Sequence, residues 1–151
     1  MDWKLYEEDN LLFLEGAFIA INQSDMESAR WLIEAAEIFD KKNPLCFIAR
    51  GYMALHRLET TEAAKWFNKC IEHYPKNELA RTMLGLTHIV SEKKMSEGEK
   101  ICMDIIKETR DPEMKKFASS ALEFADKEMK GGRTSSPMDL AAKPHKKHKH
   151  K

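Results

Sequence analysis

Nine side chains in this sequence belong to the types that most readily attack, ligate metal or carry protons. They are Cys46, Cys70 and Cys102, and the histidines at 56, 73, 88, 145, 148 and 150. Their spacing assigns them little chemistry. The cysteines are odd in number, far apart and without a Cys-x-x-Cys pair, so neither a zinc site nor a disulfide framework is expected. Each lies in an apolar helical pattern, which suits a small buried thiol and a reducing compartment. His56, His73 and His88 are scattered, and no Cys or Asp stands where it would pair with one of them as nucleophile and base. There is no glycine-rich phosphate loop, no His-Glu-x-x-His and no Gly-x-Ser-x-Gly. No catalytic residue, cofactor or structural metal is therefore expected, and the chain does not read as an enzyme.

What remains is recognition, and the elements that would position it. The chain has 151 residues, 42% hydrophobic and 33% charged, enough for one domain with a real core and charged outer faces. Its formal charge of zero hides an asymmetry. Residues 1–129 carry 18 basic and 24 acidic side chains, whereas 130–151 carry 7 basic and 1 acidic. The start, MDWKLYEEDN, has neither the basic nor the apolar segment of a signal peptide, and no stretch approaches the ~20 apolar residues of a membrane span. A cytoplasmic location is expected.

Self-similarity at a fixed offset organises the chain. Gly51 and Gly85 are 34 residues apart, and Ala17 lies 34 before Gly51. Phe13 and Phe47, Ala20 and Ala54, Ala29 and Ala63, Ile33 and Phe67, and Ala36 and Cys70 repeat the interval. Three units follow, about 10–43, 44–77 and 78–111, each reading as two helices. In the second, Asn43 and Pro44 begin a helix that runs to about His56, and Thr60 or Thr61 caps its mate. That mate ends at Tyr74-Pro75. Gly51 is expected where paired helices approach too closely for a side chain, since glycine in a helix costs about 1 kcal/mol relative to alanine. The third unit aligns better with one residue inserted, so that Gly98, Cys102 and Ile105 match Ala63, Phe67 and Cys70. Its turn, VSEKKMSEG, is left open.

After Asp111-Pro112, residues Met114, Phe117, Ala121, Leu122, Phe124 and Ala125 are spaced for one apolar helical face, a capping helix over about 112–130. Residues 1–130 thus read as one helical domain. Residues 131–151 read as a disordered basic tail, whose histidines bind metal only adventitiously.

This pattern resembles the tetratricopeptide repeat. Gly51, Ala63, Phe67 and Pro75 carry the resemblance in the middle unit, Leu84 and Gly85 in the third, and Ala20 and Ala29 in the first. Arg50 departs from it where leucine is usual, and Ala54 and His88 where an aromatic is common. The resemblance implies an all-α fold: three tandem helix–turn–helix repeats in a short right-handed solenoid. First helices of such a solenoid line a concave surface. The inward stripe would then be Leu11, Leu14, Phe18 and Ile21, then Leu45, Ile48, Tyr52 and Leu55, then Leu79, Thr82, Leu86 and Ile89. Eleven of these twelve are apolar or aromatic. Such a surface either binds a partner or packs away within a tightly wound array. Leu14, Phe18 and Asn22 occupy positions where carboxylate-binding relatives need Lys, Asn and Arg.

A small acidic three-repeat protein with an apolar groove is similar to the needle-subunit chaperones of bacterial type III secretion, in a chlamydial-type form. The resemblance implies a groove that sequesters an amphipathic helix of the needle subunit, with a second small helical protein as co-chaperone. The basic tail has no counterpart there. Two other readings stand beside it: a type III translocator chaperone that grips an extended segment, and a general tetratricopeptide adaptor. Neither membrane insertion nor specific nucleic-acid binding is expected; contact of the tail with a polyanion would be salt-sensitive.

Overall fold

Capping chemistry sets the helix starts. In the computed structural model, which describes residues 4–131, Asn43 Oδ1 accepts from the Leu45 amide at 2.9 Å, and Asn77 Oδ1 from the Ala80 amide at 2.9 Å. Asp111 Oδ1 accepts from the Glu113 amide at 2.9 Å. Each satisfies an amide that the first helical turn leaves without an internal partner. These three caps stand 34 residues apart, and so do the helices they open. The elements are α1 (Lys4–Asn22), α2 (Met26–Phe39), α3 (Pro44–His56), α4 (Thr60–His73), α5 (Glu78–Val90), α6 (Met95–Glu108) and α7 (Pro112–Phe124). A π-helical turn, Ala125–Lys130, continues α7. No strand occurs among the described residues, and no described helix is long and apolar enough to cross a membrane.

The architecture is all-α and repeat-like. Helices pair as α1–α2, α3–α4 and α5–α6. Each second helix also meets the next first helix, and first helices touch in the order α1, α3, α5, α7. Helix α1 starts six residues earlier than the repeat boundary read from the sequence. The tail, including its three histidines, lies outside the described residues.

Turns inside the pairs repeat as well. Ser24, Leu58 and Glu92 have φ of 61°, 58° and 61°, again at intervals of 34. In the first pair the Ser24 amide bonds the Ile21 carbonyl and the Asp25 amide bonds the Ala20 carbonyl; Leu58 and Glu59 repeat this with Leu55 and Ala54. That double bond is the helix-ending motif that needs one left-handed residue. It also corrects the expected cap of α4. The first helical residue is Thr60, the cap position belongs to Glu59, and no side chain caps it. Asp25, the equivalent residue before α2, closes α1 through its amide and still caps α2 by accepting from the Ser28 amide at 3.1 Å; the longer Glu59 side chain makes no such bond.

The open turn of the third pair resolves similarly. The Glu92 amide bonds the Ile89 carbonyl as expected, but the Lys93 amide turns to Ser91 and Met95 reaches back to Glu92. One extra residue is thus absorbed after Glu92, and α6 starts 35 residues after α4. The connection to α7 is one residue shorter than those to α3 and α5, so α7 returns to the 34-residue spacing.

Pair geometry depends on small residues. A Cβ on Gly51 would sit 2.5 Å from Phe67 Cε1, which fills the space instead. Phe67, Ala63 and Cys70 are fully buried beneath it. In the third pair Gly85 and Gly98 face each other: a Cβ on Gly98 would lie 2.9 Å from the Ile89 amide nitrogen and closer still to the Gly85 carbonyl. The cap buries Ala118, Ala121 and Ala125 against Ile89, Cys102 and Ile105, with Met114 and Leu122 beside them. Phe124, expected in that face, is exposed instead, because the buried face follows the small side chains.

Leu58 is a bulky, exposed residue held in the left-handed region, a conformation that costs roughly 1–2 kcal/mol. Leu58→Gly is expected to raise stability by about 1 kcal/mol, seen as a higher urea midpoint at unchanged slope. Gly98→Ala is expected to lower stability by about 3 kcal/mol in the same measurement, because its neighbours are backbone atoms that cannot turn aside.

Candidate binding face

The first-helix layer carries the stripe singled out from the sequence, and the fold divides it by depth. Taken at the 34-residue interval, the stripe falls into four rows of equivalent positions. Leu14, Ile48 and Thr82 form one row; Ile21, Leu55 and Ile89 form another. All six are buried, because these rows point into the seams between neighbouring first helices. Thr82 is satisfied there by donating its hydroxyl to the Glu78 carbonyl at 2.8 Å. These residues hold helices together and offer no surface to a ligand.

The other two rows reach the surface. Leu11 is 47% exposed, and its equivalents Leu45 and Leu79 are half-buried. Phe18, Tyr52 and Leu86 are half-buried in the same way. The Phe18 and Tyr52 rings lie 5.8 Å apart, tilted by 43°. The Tyr52 hydroxyl donates to Asn22 Oδ1, tying α3 to the end of α1. Six apolar side chains on three adjacent helices therefore form two parallel rows, spaced by the repeat. On α7 the four equivalent positions are Glu113, Lys116, Ser120 and Glu123, all exposed. The apolar rows stop where the helix layer ends.

The thiols and His88 lie beneath the surface. The three thiols are buried, and burial is the main cause that pushes Cys46, Cys70 and Cys102 up to about 11. A thiol so poorly ionised is a weak nucleophile. His88 is buried, and desolvation followed by the nearby Lys94 lowers its pKa, so it packs as neutral imidazole. Among the described residues no group of three His, Cys, Asp or Glu side chains is placed to hold a metal ion.

Sequence reasoning missed a feature on the other side of α3. Arg50, the departure from the repeat pattern, donates to Glu37 Oε1 on α2 at 2.5 Å and lies 5.2 Å from the centre of the Trp66 ring. Lys69 Nζ approaches the same ring at 4.4 Å, and the Trp66 indole donates to Glu62 at 3.0 Å. This charged ladder ties α3 to both α2 and α4. The signal available in the sequence was the exceptional arginine itself. Phe47 and His73 stack 5.6 Å apart beside it, as Phe13 and Phe39 do at 5.8 Å in the preceding pair.

Comparison of the chain with protein-family models, with curated proteins and with solved structures returned no match.

The division into buried and surface rows is open to a direct check on adjacent positions. Leu14→Glu places a carboxylate in a sealed seam and is expected to unfold the chain or cost more than 3 kcal/mol. Leu11→Glu, at the rim, is expected to change stability by no more than about 0.5 kcal/mol. Thermal denaturation followed by circular dichroism distinguishes the two.

Proposed function

We propose that this chain is a protein-binding repeat protein of tetratricopeptide type, which sequesters an amphipathic helix of a partner on its first-helix face. In this reading it has three units, about 10–43, 44–77 and 78–111, closed by α7. The observation that carries it is the pair of surface rows, Leu11–Leu45–Leu79 and Phe18–Tyr52–Leu86, kept in step on three helices and ended by the polar residues of α7. An extended apolar strip of this kind fits a helix whose anchors recur at i, i+3, i+4 and i+7. The strip itself carries no lysine or arginine, so apolar burial rather than a carboxylate clamp would supply affinity.

The most specific form of the proposal is a chaperone for a self-polymerising secreted subunit, such as a type III secretion needle subunit, acting before export. Burying the partner's self-association helix keeps the assembly-competent monomer rare. At a free chaperone concentration of 100 times Kd, protection amounts to about 2.7 kcal/mol.

The test places a photo-cross-linking amino acid at Leu11 or at Leu86, and as a control at Glu62 on α4, in the native cell. Cross-linked peptides are then identified by mass spectrometry. The expected outcome is a single small helical protein joined at positions 11 and 86 but not 62, which polymerises once freed. An extended segment at the same positions would move the reading to a translocator chaperone. Many unrelated adducts would move it to a general adaptor, and no adduct at 11 or 86 would remove the face from function.

A further inference from the structure

A second surface, away from the rows above, has its own chemistry. Six of the nine exposed large apolar side chains among the described residues belong to the first helix pair. Four of them form stripes at i, i+7 spacing: Leu12 and Ile19 on α1, 62% and 58% exposed, and Trp31 and Ile38 on α2, 64% and 83% exposed. Packing does not require them. Trp31 and Ile38 occupy the repeat positions of Lys65 and Glu72 on α4, which are exposed charges. Leu12 occupies the position of Cys46 and Ala80, which a preceding pair buries.

Acids are interleaved with these residues. Glu15 stands one turn from both Leu12 and Ile19, and Glu27 and Glu34 stand one turn either side of Trp31; all three are exposed. Residues 4–40 hold two basic and nine acidic side chains, a net −7. Residues 41–131 hold 17 basic and 14 acidic, a net +3. The acidity of the body therefore resides in one helix pair, and that pair also has the exposed apolar surface. Carboxylates flanking an open indole suit lysine or arginine, whose charge meets the acids and the ring face while its stem covers apolar surface.

We propose that residues 132–151 of this same chain fold back onto the acidic first pair and cover the exposed Trp31–Ile38 stripe of α2. The segment carries six basic residues and one acid, with Met138 and Leu140 as apolar anchors. It leaves the body at Gly131, beyond α7. Crossing from α7 past α5, α3 and α1 to α2 takes four helix-to-helix steps of about 10 Å each. Twenty extended residues reach about 66 Å. A second copy presenting its own first pair is disfavoured as occupant, since it would set −7 against −7.

The test uses the full chain with Ala141→Cys carrying a nitroxide label; the three native thiols are buried and do not take it. Paramagnetic loss of signal is read by nuclear magnetic resonance. The expected result is loss at the Trp31 indole and the Glu34 and Ile38 amides, with none at Lys100, Met103 and Lys107 on α6. That loss should vanish at about 1 M salt, where screening acts within ~3 Å. It should also vanish when Lys146, Lys147 and Lys149 are changed to Gln, which leaves the body untouched, and in the Glu27→Lys, Glu34→Lys variant. No loss, loss spread evenly over the surface, or loss only on mixing labelled with unlabelled chains would overturn the proposal.

Discussion

Close approach of paired helices at small residues is the constraint on which this molecule depends. Where α5 and α6 cross, Gly85 and Gly98 remove every atom beyond the main chain, and where α3 meets α4, Gly51 yields its space to the Phe67 ring. The distance between paired helices follows from those choices. It fixes how far each second helix stands from the next first helix, and so how closely the first helices lie side by side. Glycine is costly in a helix, and the cost is accepted at the positions where any side chain would force a pair apart.

Side-by-side first helices give one stripe of sequence two different fates. Residues of similar chemistry, Leu11 and Leu14 among them, sit three positions apart on one helix. One meets solvent and the other is sealed against a neighbour. Apolar character alone does not distinguish a surface for a partner from a seam. The angle at which the neighbouring helix arrives does. The same geometry lets α7 and its π-helical turn close the layer: they supply alanines to the core at Ala118, Ala121 and Ala125 and charges to the layer's edge.

Much of this was legible beforehand because a repeat states its own period several times. Phe13 with Phe47, Ala20 with Ala54 and Gly51 with Gly85 each report the same interval, so helix pairing and the glycine contact could be read from residue types. The capping of α4 could not. A threonine before an apolar run looks like a cap, and nothing about Leu58 announces a left-handed backbone, since leucine rarely adopts one. The depth of each stripe residue was also hidden, because burial depends on a neighbour 34 residues away rather than on local spacing. Arg50 was visible as an exception, but its meaning required Glu37 and Trp66, contributed by two other helices.

The extra residue after Glu92 and the shortened connection before Asp111 carry a consequence for how such a chain tolerates change. Helical phase is not transmitted along the polypeptide; it is re-zeroed wherever an Asn or Asp side chain captures the first amides of a helix. A length change in a turn is therefore forgotten by the next cap, and the rows stay aligned. An equal change inside a helix would rotate everything downstream of it by about 100°, but only as far as that helix's end. Insertions and deletions thus have local penalties set by where they fall, and the array can drift in length without losing its face.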